Sequence, residues 1–257
     1  MLTKSQRSKL EKGLKGYCRQ YLNKKIADLD ESATRLMLNA LLTEVLGYLP
    51  IEEVKTEYMI KGSYADYVIE IKGKRPFLVE AKAHSLELSN KHLRQAITYG
   101  AFEAIDWALV SNGRHFDFYR IIWGKPIEWR CVFSIDLSDP KQLKSGVEAL
   151  QFLHKTSVTK KGLEVLWKKS SALDTANVAG LLYSPTVINF VKRTLKQRNK
   201  QAFTEDEVIS ALDRVIQEAV DLDAVNPIRV RRKKKAAKPT VQASFIAAPP
   251  TSADTSA

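Results

Sequence analysis

Residues 65–84, ADYVIEIKGKRPFLVEAKAH, alternate apolar and polar side chains with the period of two that belongs to a β-strand, and the Gly-containing GKR turn divides them into two strands. The pattern commits this part of the chain to a sheet, yet it places Asp66, Glu80 and Lys82 in the middle of the strands. Glu80 and Lys82 are two apart on one strand and share a face. In a hairpin turning through residues 72–75, Asp66 falls opposite position 80 or 81, close to both, with its own face depending on the register.

On either side the period becomes helical. Residues about 3–27 are helix-like and strongly basic, and residues 31–47, ESATRLMLNALLTEVLG, carry Leu36, Leu38, Leu41, Leu42, Val45 and Leu46 on a broad apolar face, with Asp30 or Ser32 able to cap the helix. VKTEYMI reads as a further strand before the hairpin, and residues 88–102 return to helical spacing. DWALVSN and HFDFYRII follow as strands around the Asn112-Gly113 turn, and IEWRCVFSI continues after a Gly-Lys-Pro turn. The order predicts an α/β sandwich in which one helix crosses over between the earlier and the later strands. Residues 140–153, 161–173, 184–199 and 204–220 read as helices, the last opening on a Thr204 and Glu207 capping box; the pair 184–199 and 204–220 fits a helix-turn-helix or simple helical packing equally well. After Asn226 the composition collapses to Arg, Lys, Ala, Pro, Ser and Thr, which cannot bury enough apolar area to fold. Three parts are expected: an α/β domain with its N-terminal helices (1–137), a helical extension (138–223) and a disordered basic tail (224–257).

The formal net charge is +12, half of it in residues 224–257, where Arg229, Arg231, Arg232, Lys233, Lys234, Lys235 and Lys238 face Asp254 alone. A basic body with a basic arm suits a polyanionic partner, because phosphate contacts release counterions; a solvated surface is the plainer reading of the same charge. No run approaches the roughly 18 consecutive apolar residues of a membrane span. The N-terminal segment lacks the apolar run of a signal peptide, and Cys18 and Cys131 make neither a disulfide framework nor a zinc site. A cytoplasmic protein with no membrane partner is expected.

Two carboxylates brought together in a partly buried place repel each other, and a buried lysine is costly as well. A divalent cation relieves that repulsion, and oxygen-rich sites with two carboxylates suit Mg²⁺ or Mn²⁺, which keep several waters and can also hold a substrate phosphate. Such a site can hydrolyse a phosphodiester: metal on Asp66 and Glu80 polarises the scissile phosphate, while Lys82 positions or helps deprotonate the attacking water and offsets transition-state charge. A surface hairpin with solvated charges explains the bare pattern without chemistry.

The wider context is more specific. Asp-x13-Glu-Ala-Lys on adjacent strands, between a helix carrying Glu44 and one carrying Gln95-Ala-Ile-Thr-Tyr99, resembles the PD-(D/E)xK nuclease superfamily, and more closely the N-terminal nuclease domain of type I restriction enzyme R subunits. The similarity covers about residues 30–135, through LNALLTEVLGY, FLVEAKA, HLRQAITYGA and WALVSNGRHFDFYRI. It implies a restriction-endonuclease-like mixed central sheet flanked by helices, with Asp66 and Glu80 as metal ligands and Lys82 as the catalytic lysine. Gln95 and Tyr99 match the Q-x-x-x-Y element; four apart on a helix, they share a face and can reach the site or the DNA backbone. Glu44 either completes the metal site or is exposed. Ala65 stands where the superfamily's name has proline, a residue that does no chemistry.

The resemblance thus implies a Mg²⁺-dependent (or Mn²⁺-dependent) deoxyribonuclease in defence, restriction or a mobile-element context, with DNA as partner and Arg229, Arg231, Arg232, Lys233, Lys234 and Lys235 as a phosphate-binding arm; a nuclear localisation signal is the other reading of that run. No G-x-x-x-x-G-K-[ST] phosphate loop is present, so a free-standing nuclease domain is expected, with a homodimer or a partner protein supplying paired cuts or specificity. The alternative is a catalytically silent or partner-activated nucleic-acid-binding module of the same fold. The aromatic run Phe116, Phe118, Tyr119 and Trp123 fits a strand core better than a base-stacking platform, and His84, His92, His115 and His154 have no metal-ligand spacing.

Overall fold

The computed structural model describes residues 1–23, 29–60 and 62–217. Six strands build one mixed sheet in chain order: β1 Val54–Ile60, β2 Ser63–Ile71, β3 Lys74–Ala81, β4 Trp107–Ser111, β5 His115–Ile122 and β6 Glu128–Asp136. All neighbours are antiparallel except β3 and β4, and that parallel step demands a crossover. Helix α3, Asn90–Glu103, supplies it. The hairpin turn lies one residue earlier than GKR implies: Ile71 pairs with Lys74, and Lys72 (φ 51°) and Gly73 (φ 73°) are both left-handed, the conformation of a two-residue turn whose twist matches the strands.

Each face of the sheet finds a cover. Alternation along β4 sends Trp107 and Leu109 to one side and Ala108 and Val110 to the other. On the first side, Tyr67, Phe77, Phe116 and Phe118 pack with Leu10 and Leu14 of α1 (Lys4–Tyr21) and with Met37 and Leu38 of α2 (Glu31–Ala40). Asp30 caps α2, its side chain accepting the Ala33 N–H at 2.8 Å, and the helix runs on through a widened π-helical stretch, Leu41–Val45. On the second side, α3 lays Leu93, Ala96, Ile97 and Tyr99 over Val68, Leu78 and Ala108. Phe116 and Phe118 are core residues, Phe118 stacking on Trp107 with ring centroids 5.0 Å apart.

The chain divides into two compact units, Met1–Val187 and Ile188–Ala257. The first includes α4 (Leu143–Leu150), α5 (Lys155–Thr159), α6 (Gly162–Ala172) and α7 (Thr175–Leu182). Val147 and Leu150 of α4 and Leu163 and Leu166 of α6 join the same core as α1 and the sheet, because their apolar faces need burial and that side of the sheet provides it. The first unit therefore continues well past residue 137. Helix α8 spans Pro185–Asn199, and α9, Glu205–Gln217, begins on the capping box: Thr204 N donates to Glu207 Oε2 at 2.7 Å and Glu207 N to Thr204 Oγ1 at 3.3 Å. The end of the expected first helix, residues 218–220 of the last one and the whole tail fall outside the described residues. Among the described residues no helix is long and apolar enough to cross a membrane.

Candidate active site

The register between β2 and β3 sets Tyr67 opposite Val79 and Val68 opposite Leu78, and one further step places Asp66 opposite Glu80. There Asp66 Oδ2, a side-chain oxygen, accepts the Ala81 N–H at 2.8 Å. The alternation of β2 breaks at this point, since Ala65 and Val68, three residues apart, both pack on the α3 side. Across on β1, Glu57 lies between the Thr56–Tyr67 and Tyr58–Ala65 pairs and so faces Asp66; its φ of 46° is a left-handed conformation uncommon outside glycine.

The three charges of the hairpin are brought together and buried, Asp66 being 5 %, Glu80 1 % and Lys82 9 % exposed. Lys82 Nζ sits 2.5 Å from Glu80 Oε1 and 3.8 Å from Glu31 Oε2. Asp66 Oδ1 takes Arg35 Nη2 at 2.5 Å, and Arg35 also meets Glu31 at 3.2 Å and Glu57 at 3.4 Å. Glu80 Oε2 is buried with no hydrogen-bond partner. An orphaned carboxylate oxygen in the interior is expensive, and the charge of Asp66 adds repulsion.

The electrostatics follow from this crowding. Burial, and then the charge of Asp66, push the Glu80 carboxyl up to about 7 against the help of Lys82. Burial likewise raises Asp66, opposed by the Ala81 N–H, Arg35 and Lys82. Burial works against the Lys82 ammonium, but the hydrogen bond and charge of Glu80, with Glu31 and Asp66, outweigh it and raise its pKa. Lys82 is therefore a cation at neutral pH in this arrangement, suited to hold or offset negative charge.

Two residues that spacing did not single out complete the cluster. Glu31 and Arg35 stand four apart at the start of α2, a separation that makes them neighbours on one helix face. Acid at i and base at i+4 beside the capping Asp30 was a readable signal, but only the tertiary fold shows that this end of α2 meets the end of β3, where His84 N donates to Leu29 O. Glu44 is exposed on the π-helical stretch, 13 residues and roughly 20 Å of helix beyond Glu31, and no hydrogen bond or ion pair among the described residues joins it to Asp66, Glu80 or Lys82. The acid that α2 brings to the cluster is Glu31.

Gln95 Nε2 donates to Tyr99 OH at 3.0 Å, so the pair does share a face of α3; Gln95 is exposed and Tyr99 packs in the core beneath the helix. Neither is bonded to the carboxylates among the described residues. His92, one turn earlier on α3, lies within the field of Lys82: burial first, then Lys82 and Lys91, lower its pKa, and its Nδ1 is buried without a partner. His84 is structural, with Nδ1 3.0 Å from the Asn112 carbonyl. His115 Nε2 lies 3.0 Å from Asp117 Oδ1 and 2.8 Å from Ser134 Oγ; one ring nitrogen faces both, so the trio cannot pass a proton through the imidazole as a hydrolytic triad does. The tail residues Arg229, Arg231, Arg232, Lys233, Lys234 and Lys235 lie outside the described residues.

Among the described residues no three His, Cys, Asp or Glu side chains are gathered to hold a metal ion. The donor set is instead the Asp66–Glu80 pair, with Glu80 Oε2 buried and partnerless. That suits a hard divalent cation which takes one or two protein carboxylates and fills its other positions with water and phosphate oxygen. Residues 30–125 match the family described as type I restriction enzyme R protein N terminus (HSDR_N), a span that runs from the α2 cap past β5 and takes in Glu31, Arg35, Asp66, Glu80, Lys82, Gln95 and Tyr99. The match supports a restriction-related role for this part of the chain. No curated protein and no solved structure matches the chain.

Proposed function

We propose that the chain is a metal-dependent DNA endonuclease of the PD-(D/E)xK type, acting in restriction or in another defence or mobile-element setting. The observation that carries this reading is the buried Asp66–Glu80–Lys82 cluster, in which adjacent strands oppose two carboxylates and leave Glu80 Oε2 without a partner. A structural salt bridge satisfies its oxygens; this one keeps an oxygen in reserve. Asp66 and Glu80 would hold Mg²⁺ or Mn²⁺, which when bound supplies Lewis acidity to a phosphodiester.

The rest is done by the chain's own residues. Lys82 Nζ, held by Glu80 and by Glu31 on α2, fixes the position of an attacking water and offsets the charge that builds on the phosphoryl oxygens. The Ala81 N–H holds Asp66 Oδ2, so that the carboxylate is oriented before substrate arrives. Gln95, exposed on α3, suits a contact with the DNA backbone. The direct test is plasmid cleavage by Asp66→Ala protein: cutting that is divalent-dependent in the wild type and absent in the variant supports the reading, and equal cutting by both overturns it.

The basic tail is assigned to phosphate binding. Deleting residues 227–257 removes Arg229, Arg231, Arg232, Lys233, Lys234, Lys235 and Lys238, and is expected to weaken DNA affinity and to flatten its dependence on salt by several units of log–log slope, at about 0.9 per phosphate neutralised. Fluorescence anisotropy across a salt series measures it; an unaltered slope removes the tail from the interface. Cutting both strands requires two such sites or two successive nicks, which fits a homodimer or an assembly with partner subunits.

A further inference from the structure

Arg35 stands among three carboxylates. It stands 2.5 Å from Asp66, 3.2 Å from Glu31 and 3.4 Å from Glu57, while its Nε is buried without a hydrogen bond. The three acids differ in depth: the Asp66 side chain is 5 % exposed, Glu31 41 % and Glu57 72 %. Arg35 therefore bridges from the inner carboxylate to the surface.

Its place on Asp66 matters most. Of the two Asp66 oxygens, Oδ2 is taken by the Ala81 N–H, and Oδ1 is the one Arg35 covers. A dication held by Asp66 and Glu80 would meet the guanidinium that stands 2.5 Å from Asp66 Oδ1, and like charges at such distances repel strongly in a partly dry site. Glu31 and Glu57 give Arg35 somewhere to go. The left-handed Glu57, set opposite Asp66 on β1, carries the outermost of these carboxylates, and a non-glycine residue held in that conformation is the kind of local strain that surrounding structure must support.

We propose that Arg35 is a built-in counter-cation that holds Asp66 in the metal-free protein and yields it to the divalent ion by swinging outward onto Glu31 and Glu57. The proposal rests on the reading of Asp66 and Glu80 as metal ligands. It makes Arg35 a positioning residue that keeps the two carboxylates from repelling each other before the ion arrives, and it sets a threshold on metal binding, since the ion must displace an existing ion pair.

Isothermal titration of the full chain with Mn²⁺ tests it, comparing wild type, Glu80→Gln and Arg35→Gln, with Arg35→Lys as a second variant should the first not fold. Arg35→Gln is expected to bind Mn²⁺ on the order of tenfold more tightly than wild type, with a lower Tm in EDTA and a larger Tm rise on adding metal; Arg35→Lys falls between. Damage to the fold loosens metal binding, so a tightened Kd is a result that a merely structural role does not produce. Mn²⁺ uptake by the wild type that Glu80→Gln abolishes, with Arg35 variants binding no better than wild type, overturns the role of Arg35 and leaves the metal site standing. No uptake by the wild type overturns both.

Discussion

Lys82→Ala is expected to reduce DNA cleavage by on the order of 10²–10³-fold while leaving DNA affinity within about twofold. The split comes from where the charge is. Lys82 is 9 % exposed, its ammonium fixed by Glu80 at 2.5 Å, so it contributes little to a long-range attraction that 41 Lys and Arg residues generate together. What it offers is a preorganised positive charge beside the carboxylate pair, which gains value only as phosphoryl charge develops. Arginine is a poor substitute, because its planar fork does not fit the compact space between Glu80 and Glu31. Single-turnover cleavage measured alongside anisotropy separates the effects: equal losses of cutting and binding would place Lys82 in the DNA interface, not in the chemistry.

Glu80→Gln is expected to abolish metal-dependent cutting and yet to stabilise the metal-free protein relative to wild type as pH rises. The sign follows from the raised carboxyl. A Glu whose folded pKa is about 7, above its ordinary value of 4.5, binds its proton more tightly in the folded state; the stability it contributes is complete below 4.5 and is lost as pH climbs to 7. Asp66, also raised, acts in the same direction. Lys82 is raised above 10.5, so its contribution is level across this window. A neutral Gln removes the titration, and the difference in unfolding free energy between variant and wild type should move in favour of the variant by up to about 3 kcal/mol between pH 4.5 and 7.5. Urea melts in EDTA across this range measure it. Mn²⁺ should then stabilise the wild type and not the variant; a flat difference across pH, or equal metal effects, contradicts the picture of a carboxylate held ready for a cation.

Much of this site was legible because strand arithmetic is rigid. A hairpin turn near residue 73 fixes which residue of β2 opposes Glu80, and only the one-residue uncertainty of the turn left Asp66 between positions 80 and 81. The helical face of α2 was readable for the same reason: Leu38, Leu41, Leu42 and Leu46 recur at the spacing that a sheet-facing stripe requires and are buried, whereas Leu36, expected on the same face, is 72 % exposed. The short helices α5 and α7 were not readable. Five residues of α5 are too few to show a period, and α7, Thr175–Leu182, spans about two turns, with Val178, Leu181 and Leu182 at helical spacing but none of them buried. The third acid escaped for a different reason. Glu31 and Glu44 lie on one continuous helical segment, and which of them meets Lys82 depends on how α2 docks against the end of β3, a tertiary relation that carries no local pattern. The extent of the first unit was hidden in the same way, since the apolar faces of α4 and α6 announce that they need a partner without saying that the partner is the sheet.

Glu31 gains a role in this account that the hairpin alone did not suggest. It lies near both cations of the cluster, Lys82 at 3.8 Å and Arg35 at 3.2 Å, and so links the charge proposed to act on the phosphate to the charge proposed to hold Asp66. An acid in the first turn of a helix is also favoured by the helix dipole, which adds to the support of this network.

The claim that Asp66, Glu80 and Lys82 form a metal-dependent nuclease site is tested most directly by incubating the wild-type chain with supercoiled plasmid in EDTA, and then adding Mg²⁺ or Mn²⁺ to the same reaction. The account predicts intact plasmid in EDTA and conversion to nicked and linear forms once either ion is present. Cutting in EDTA would contradict a metal mechanism, and plasmid that stays supercoiled with both ions, while salt-sensitive binding persists, would make the protein a DNA-binding module that does not cut.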